Sequence, residues 1–91
     1  MKYQKEILEQ IEKLASIYLS ISDIALVIDV PADILREDIA DKTSEVGKAY
    51  LRGKVATKIR LRTQEIKLAM VGSPLAIENA RKNLLDMEDD E

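Results

Sequence analysis

Seven basic side chains stand close together between residues 46 and 72: Lys48, Arg52, Lys54, Lys58, Arg60, Arg62 and Lys67, opposed there only by Glu65. Ammonium and guanidinium groups at that density attract polyanions, and a local charge of +6 is the usual electrostatic footprint of a nucleic-acid partner. A solvated helix face in an oligomer would carry the same charges. The flanks have the opposite sign, −5 over residues 23–45 and −4 over 73–91, so the total of −3 hides the basic block. Other chemistry has few means here. The chain contains no cysteine and no histidine, which removes thiolate nucleophiles, disulfide frameworks, structural zinc sites and imidazole acid–base catalysis. Gly47, Gly53 and Gly72 are isolated and form no phosphate-cradling loop, and the adjacent carboxylates Glu37 and Asp38 point apart on a helix. No catalytic residue, cofactor or metal is expected.

The elements that must position the basic block follow from composition and periodicity. A chain of 91 residues has room for one small domain, and cores of this size bury only roughly 60–65% of the unfolded surface. With disulfides and metal set aside, oligomerisation is the remaining source of stability. Phe and Trp are absent, the 46% apolar content is almost entirely aliphatic, and glycine and proline total five; these features predict an all-α chain. No run approaches the roughly 18 apolar residues of a membrane span, and residues 1–22 show no basic stretch leading into an apolar one, so a cytoplasmic protein with no membrane partner is expected. The most apolar stretch, Ile24 to Val30, is interrupted by Asp29 and reads as a buried helix turn.

Periodicity predicts a first helix over Lys2 to Leu19 with Ile7, Ile11, Leu14, Ala15 and Tyr18 on its inner face. Ser20 is placed to cap a second helix, with Asp23 three residues on and an inner stripe of Ile21, Ile24, Ala25 and Ile28; Asp29-Val30-Pro31 stops it. Pro31 opens a third helix to about Asp41, with Ile34, Leu35 and Ile39 inward. Ser44 then caps a long helix to about Val71, some 28 residues and about 42 Å. Leu51, Val55, Ile59, Ile66, Ala69 and Met70 form one stripe along it, interrupted by Lys58 and Arg62, and Tyr50, Leu61 and Leu68 form a second. A chain this short cannot cover both, so Leu51, Val55, Ile59 and Ile66 are the predicted oligomer interface. Gly53 in mid-helix points to close approach of another backbone or a bend. Gly72 and Ser73-Pro74 reverse the chain into a last helix to about Met87, whose Ile77, Ala80, Leu84 and Met87 should fold back on the long one. An acidic, frayed tail follows.

Ser20 to Asp41 resembles a helix-turn-helix, with Ala25 at the close crossing, Val30 as the apolar turn residue and Leu35 as the anchor of the second helix. Asp29 stands where glycine often does, and the second helix bears Asp33, Glu37 and Asp38 beside a single Arg36. Taken with Ala49-Tyr50-Leu51-Arg52-Gly53-Lys54, Arg60 to Glu65, and Leu68-Ala69 leading into Gly72-Ser73-Pro74-Leu75-Ala76, the order and spacing resemble phage terminase small subunits over most of the chain. That resemblance implies an N-terminal helix-turn-helix-like bundle (residues 1–43), a long antiparallel helical hairpin that assembles subunits into a ring (44–87), and an acidic tail (88–91). It implies a DNA-packaging protein that recognises viral DNA and recruits the large, ATP-hydrolysing subunit through its C-terminal segment. Lys42, Lys48, Arg52 and Lys54 lie nearest the helix-turn-helix-like unit and are the candidate phosphate contacts; Arg36 is the one basic residue on the reading helix. Two other readings share these features: a dimeric helix-turn-helix transcription regulator, and an oligomeric adaptor that touches no nucleic acid.

Overall fold

A computed structural model describes residues 2–90, with side chains through Met87. Among these residues there are five α-helices and no strand: α1 Lys5–Ser16, α2 Ile21–Ile28, α3 Ala32–Ala40, α4 Glu45–Met70 and α5 Pro74–Asp90. The chain is all-α, as its aliphatic, glycine-poor composition dictates. It divides into two compact units, Met1–Thr57 and Lys58–Glu91, and the division falls inside α4. The first turns of α4 belong with the first unit because Val46, Gly47, Ala49 and Gly53 are buried there.

The core of the first unit is aliphatic: Ile11 and Ala15 of α1, Ile24, Ala25 and Ile28 of α2, Leu35 and Ile39 of α3, and Val46 of α4. Ile11, Ile24 and Leu35 are fully buried, each contributing about 2–3 kcal/mol by transfer from water. Helix α1 is shorter than its periodicity predicts. Its amphipathic pattern continues through Tyr18, but the helix stops at Ser16 and Tyr18 takes φ 60° in the turn, with its side chain exposed rather than in the inner stripe. The Tyr18 amide donates to the Ala15 carbonyl at 3.0 Å and the Leu19 amide to the Leu14 carbonyl at 3.4 Å, which satisfies two of the carbonyls the helix end leaves open.

Ser20 caps α2 as its sequence predicts, its hydroxyl accepting from the Asp23 amide at 3.1 Å. Asp29 ends α2 in the left-handed region, φ 59° and ψ 50°, and the Val30 amide reaches the Ala25 carbonyl at 3.0 Å. The position often filled by glycine thus has the glycine conformation with an Asp in it, a residue whose short polar side chain tolerates it. Pro31 is the N-cap of α3. The expected inner set of α3 holds for Leu35 and Ile39 but not for Ile34, which is exposed; likewise Leu26 and Val27 of α2 face outward, so Ile24 to Val30 is a half-buried turn rather than a buried one. At the α3–α4 junction the Ser44 hydroxyl accepts from the Gly47 amide at 3.0 Å and lies 2.6 and 3.0 Å from the Asp41 and Asp38 carbonyls.

Gly53 explains itself by contact. A Cβ there would overlap the Glu12 carbonyl oxygen and sit 2.9 Å from the Ala15 Cβ, so the backbones of α1 and α4 touch at this point. On either side of the crossing, Arg52 Nε donates to Glu12 Oε1 at 3.0 Å and the Thr57 hydroxyl donates to the Ser16 carbonyl. Residue numbers rise together along both helices, so α1 and this part of α4 run in the same sense.

In the second unit, α4 ends in the same motif as α1 and α2. Gly72 has φ 92°, its amide donates to the Ala69 carbonyl at 3.0 Å, and the Ser73 amide donates to the Leu68 carbonyl at 3.2 Å. Helix α5 then turns back so that Asn83 Nδ2 donates to Glu65 Oε2 at 2.7 Å. Ala76 is the only buried apolar side chain among the described residues of this unit. Ile77, Leu84 and Met87, expected to pack inward, are exposed, because two helices alone present too little surface to cover a full stripe on each. Residues 88–90 continue the helix past the expected end at Met87, and the side chains of the acidic tail lie outside the described residues.

Glycine substitutions should act in opposite directions at these positions. Gly53→Ala should lower stability by about 1–3 kcal/mol, since the new methyl group has a carbonyl in its place. Tyr18→Gly should raise it by up to about 1 kcal/mol, because relief of the left-handed strain exceeds the added entropy of the unfolded chain. Urea unfolding followed by helical circular dichroism checks both.

Candidate nucleic-acid and self-assembly surfaces

The five basic residues expected to meet phosphate lie on three elements. Lys42 is exposed in the α3–α4 loop; Lys48, Arg52 and Lys54 are exposed on α4; Arg36 is exposed on α3. At 100° per residue Lys48 and Arg52 share a face, one turn apart, while Lys54 lies about 200° further round from Arg52. The structure therefore brings Lys48 and Arg52 together and sets Lys54 apart. Arg52 is held by Glu12, and Lys54 Nζ stands 5.2 Å from the centroid of the Tyr50 ring, a cation–π contact of about 0.5–1 kcal/mol. Both arrangements fix long side chains that would otherwise sample many rotamers. The Tyr50–Lys54 pair has the i,i+4 spacing of helix neighbours, whereas the Glu12–Arg52 pair, 40 positions apart, has no signature in sequence spacing.

Arg36 is occupied as well: its Nη2 donates to the Ser22 hydroxyl at 3.1 Å, joining the outer surfaces of α3 and α2. Around it α3 exposes Asp33 and Glu37. Asp38 turns the other way and accepts from the Tyr3 hydroxyl at 2.8 Å, an anchor that ties the residues before α1 to α3. Burial, then the hydrogen bond to Asp38 and its charge, push the Tyr3 phenol from its ordinary 10.0 up to about 12. Asp41, next to Lys42, accepts from the Thr43 hydroxyl at 2.6 Å and the Thr43 amide at 3.0 Å, and these two bonds hold its carboxyl below the usual carboxylate range. The loop that carries Lys42 is thereby closed into a turn on its own carboxylate.

The predicted interface residues are exposed in the single chain. Leu51 and Val55 stand open in the first unit, on the side of α4 away from Val46, Ala49 and Gly53. Ile59 and Ile66 are 61% and 52% exposed in the second unit, where Met70, Val71, Leu75, Leu84 and Leu85 are also open. Side chains of this size left in water on a short helical unit form an apolar surface of the kind that marks protein contacts. Among the described residues no group of carboxylates is arranged to hold a metal ion. No protein-family model, characterised protein or solved structure matches the chain.

The Tyr3–Asp38 pair has a pH signature. The folded protein holds the phenol proton more tightly than the unfolded chain does, so this stabilisation is complete below pH about 10 and is lost as pH rises toward 12. Tyr3→Phe should cost about 1 kcal/mol near neutral pH and flatten the decline between those limits. Denaturant midpoints for both proteins across pH 8 to about 12 give the comparison.

Proposed function

We propose that this protein is a self-assembling, DNA-binding component of a phage DNA-packaging machine, of the terminase small-subunit kind, which engages viral DNA and recruits the large subunit. The observation that carries the reading is the second unit. It spans only residues 58–91, below the roughly 40 residues that fold without disulfide, metal or oligomer, and among its described residues it buries one alanine while leaving Ile59, Ile66, Leu75 and Leu84 open. With no cysteine in the chain, association between copies is the means left to cover that surface.

The DNA reading rests on the charge of α4. Its first half presents Lys48 and Arg52 on one face, and its second half carries Lys58, Arg60, Arg62 and Lys67 against Glu65. Contacts of this kind go to phosphates and position the protein without selecting a sequence, which suits a chain whose α3 bears more acids than bases. The helix-turn-helix-like α2–α3 unit then acts chiefly as the platform that holds α4, with Arg36 as its one basic contribution. Large-subunit docking falls to the C-terminal segment from Asp86 onward, as the terminase resemblance implies. No described helix is long and apolar enough to cross a membrane. The pairing of Arg52 with Glu12 and the acidic surface of α3 favour a second reading, an oligomeric adaptor whose basic helix meets protein instead of DNA.

DNA binding separates the two. For the packaging reading, a Lys48→Ala, Arg52→Ala, Lys54→Ala triple variant should lose affinity about equally for all duplex sequences, and its salt slope should fall by about one per lost phosphate contact. Fluorescence anisotropy on duplexes of unrelated sequence at several salt concentrations measures both. Unchanged affinity in the triple variant removes these three residues from DNA binding, and absence of any salt-sensitive binding by the wild type favours the adaptor.

A further inference from the structure

Two surfaces of this chain are complementary to each other, and self-association of the kind proposed above gives them a reason to be. The first is the outer face of α2 and α3. Leu26 and Val27 are 81% and 52% exposed, although both lie in the most apolar stretch of the sequence, and Ile34 is open on α3. The exposed charges on these two helices are Asp23, Asp29, Asp33 and Glu37, against Arg36, whose guanidinium is engaged by Ser22. The second surface is the α4 stripe of the second unit, where Ile59 and Ile66 stand open with Lys58 and Arg62 beside them.

We propose that the apolar, acidic outer face of α2–α3 on one copy is the docking site for the apolar, basic α4 stripe around Ile59 and Ile66 on a second copy, in a head-to-tail contact. Charge decides this pairing over its rivals. Two α4 stripes laid against each other would bring Lys58 and Arg62 of both copies together, and two α2–α3 faces would do the same with Asp23, Asp33 and Glu37. The mixed pairing instead surrounds aliphatic anchors with opposite charges, the arrangement that fixes register and suppresses wrong partners. Because the two patches differ, every copy keeps one of each to offer, and assembly propagates beyond a dimer.

Complementation between variants tests the contact directly, with no DNA present. Leu26→Asp disables the face and Ile59→Asp disables the stripe; both positions are on the surface, and unchanged helical circular dichroism confirms that each variant is folded. Analytical ultracentrifugation should show the wild type as a large assembly that shrinks with added salt. Each variant alone should run as a single chain, and an equimolar mixture should form a particle of two chains, because one good interface remains and neither end can extend it. Leu26→Ser, which adds no charge, should weaken assembly in the same sense. A Leu26→Asp variant that assembles like the wild type, or a mixture that stays as single chains, overturns the docking site while leaving self-assembly in place. A wild type that runs as a single chain overturns self-assembly itself, and the docking site with it.

Discussion

The first unit depends on one backbone contact. At Gly53 the chain has no side chain, and the Glu12 carbonyl occupies the space where a Cβ would be, so the backbones of α1 and α4 are in contact. That approach brings Glu12 within reach of Arg52 and the Ser16 carbonyl within reach of Thr57, and it closes the cluster formed by Ile11, Ala15 and Val46. The neighbouring small residues Ala15 and Ala49, both fully buried, belong to the same solution. A larger side chain at any of them would push the crossing open and disturb the core that α1 shares with α2 and, through α2, with α3.

Polar contacts in this molecule are arranged by sign. Acids gather on α2, α3 and the loop after them, and bases gather on α4, yet the two sets are tied into the structure in different ways. Asp38 accepts from the Tyr3 hydroxyl, and Asp41 accepts from the Thr43 hydroxyl and amide, which satisfy its carboxylate without cancelling its charge. Arg52 is paired with a full opposite charge, whereas Lys54 rests on the face of a ring, which leaves its charge intact. Residues 23–45 therefore keep a net charge of −5 and residues 46–72 a net charge of +6, and charge segregated along the chain in this way is what long-range attraction acts on.

Side-chain chemistry that acts within three or four residues was readable from the sequence. Ser20 and Ser44 were placed as caps because a hydroxyl at a helix start has a nearby amide to receive, and Gly72 as a terminator because glycine alone enters φ near 90° without cost. The limit shows at Tyr18, which fits the apolar period of α1 but lies past its end; periodicity records hydrophobicity and is blind to a left-handed turn. It shows again in α5, where Ile77, Leu84 and Met87 form a proper stripe and yet are exposed. Amphipathicity states that a face wants burial and does not say by whom. Contacts across 35 and 40 positions, Tyr3 with Asp38 and Glu12 with Arg52, have no local signature at all. For the candidate site the same division holds: the basic block, its aliphatic stripe and, given the helix, the separation of Lys54 from Arg52 by about 200° are legible in the sequence, while the outward Leu26 comes from the packing of α2.

Helix α4 passes without interruption from a packed unit into a sparsely covered one, and this gives a single helix two kinds of backbone protection. Around Val46 to Gly53 one face of the helix lies against the core of the first unit, and its amides gain protection from that packing. Beyond Ile59 the helix exposes Leu61, Ile66, Leu68 and Met70, so its hydrogen bonds open by local fraying at lower cost. Covering the second unit would raise the protection of that stretch alone and leave the first turns unchanged. One helix thus carries both a fixed internal standard and a reporter, and the ratio of their deuterium uptake reads out the state of the exposed end in a single measurement.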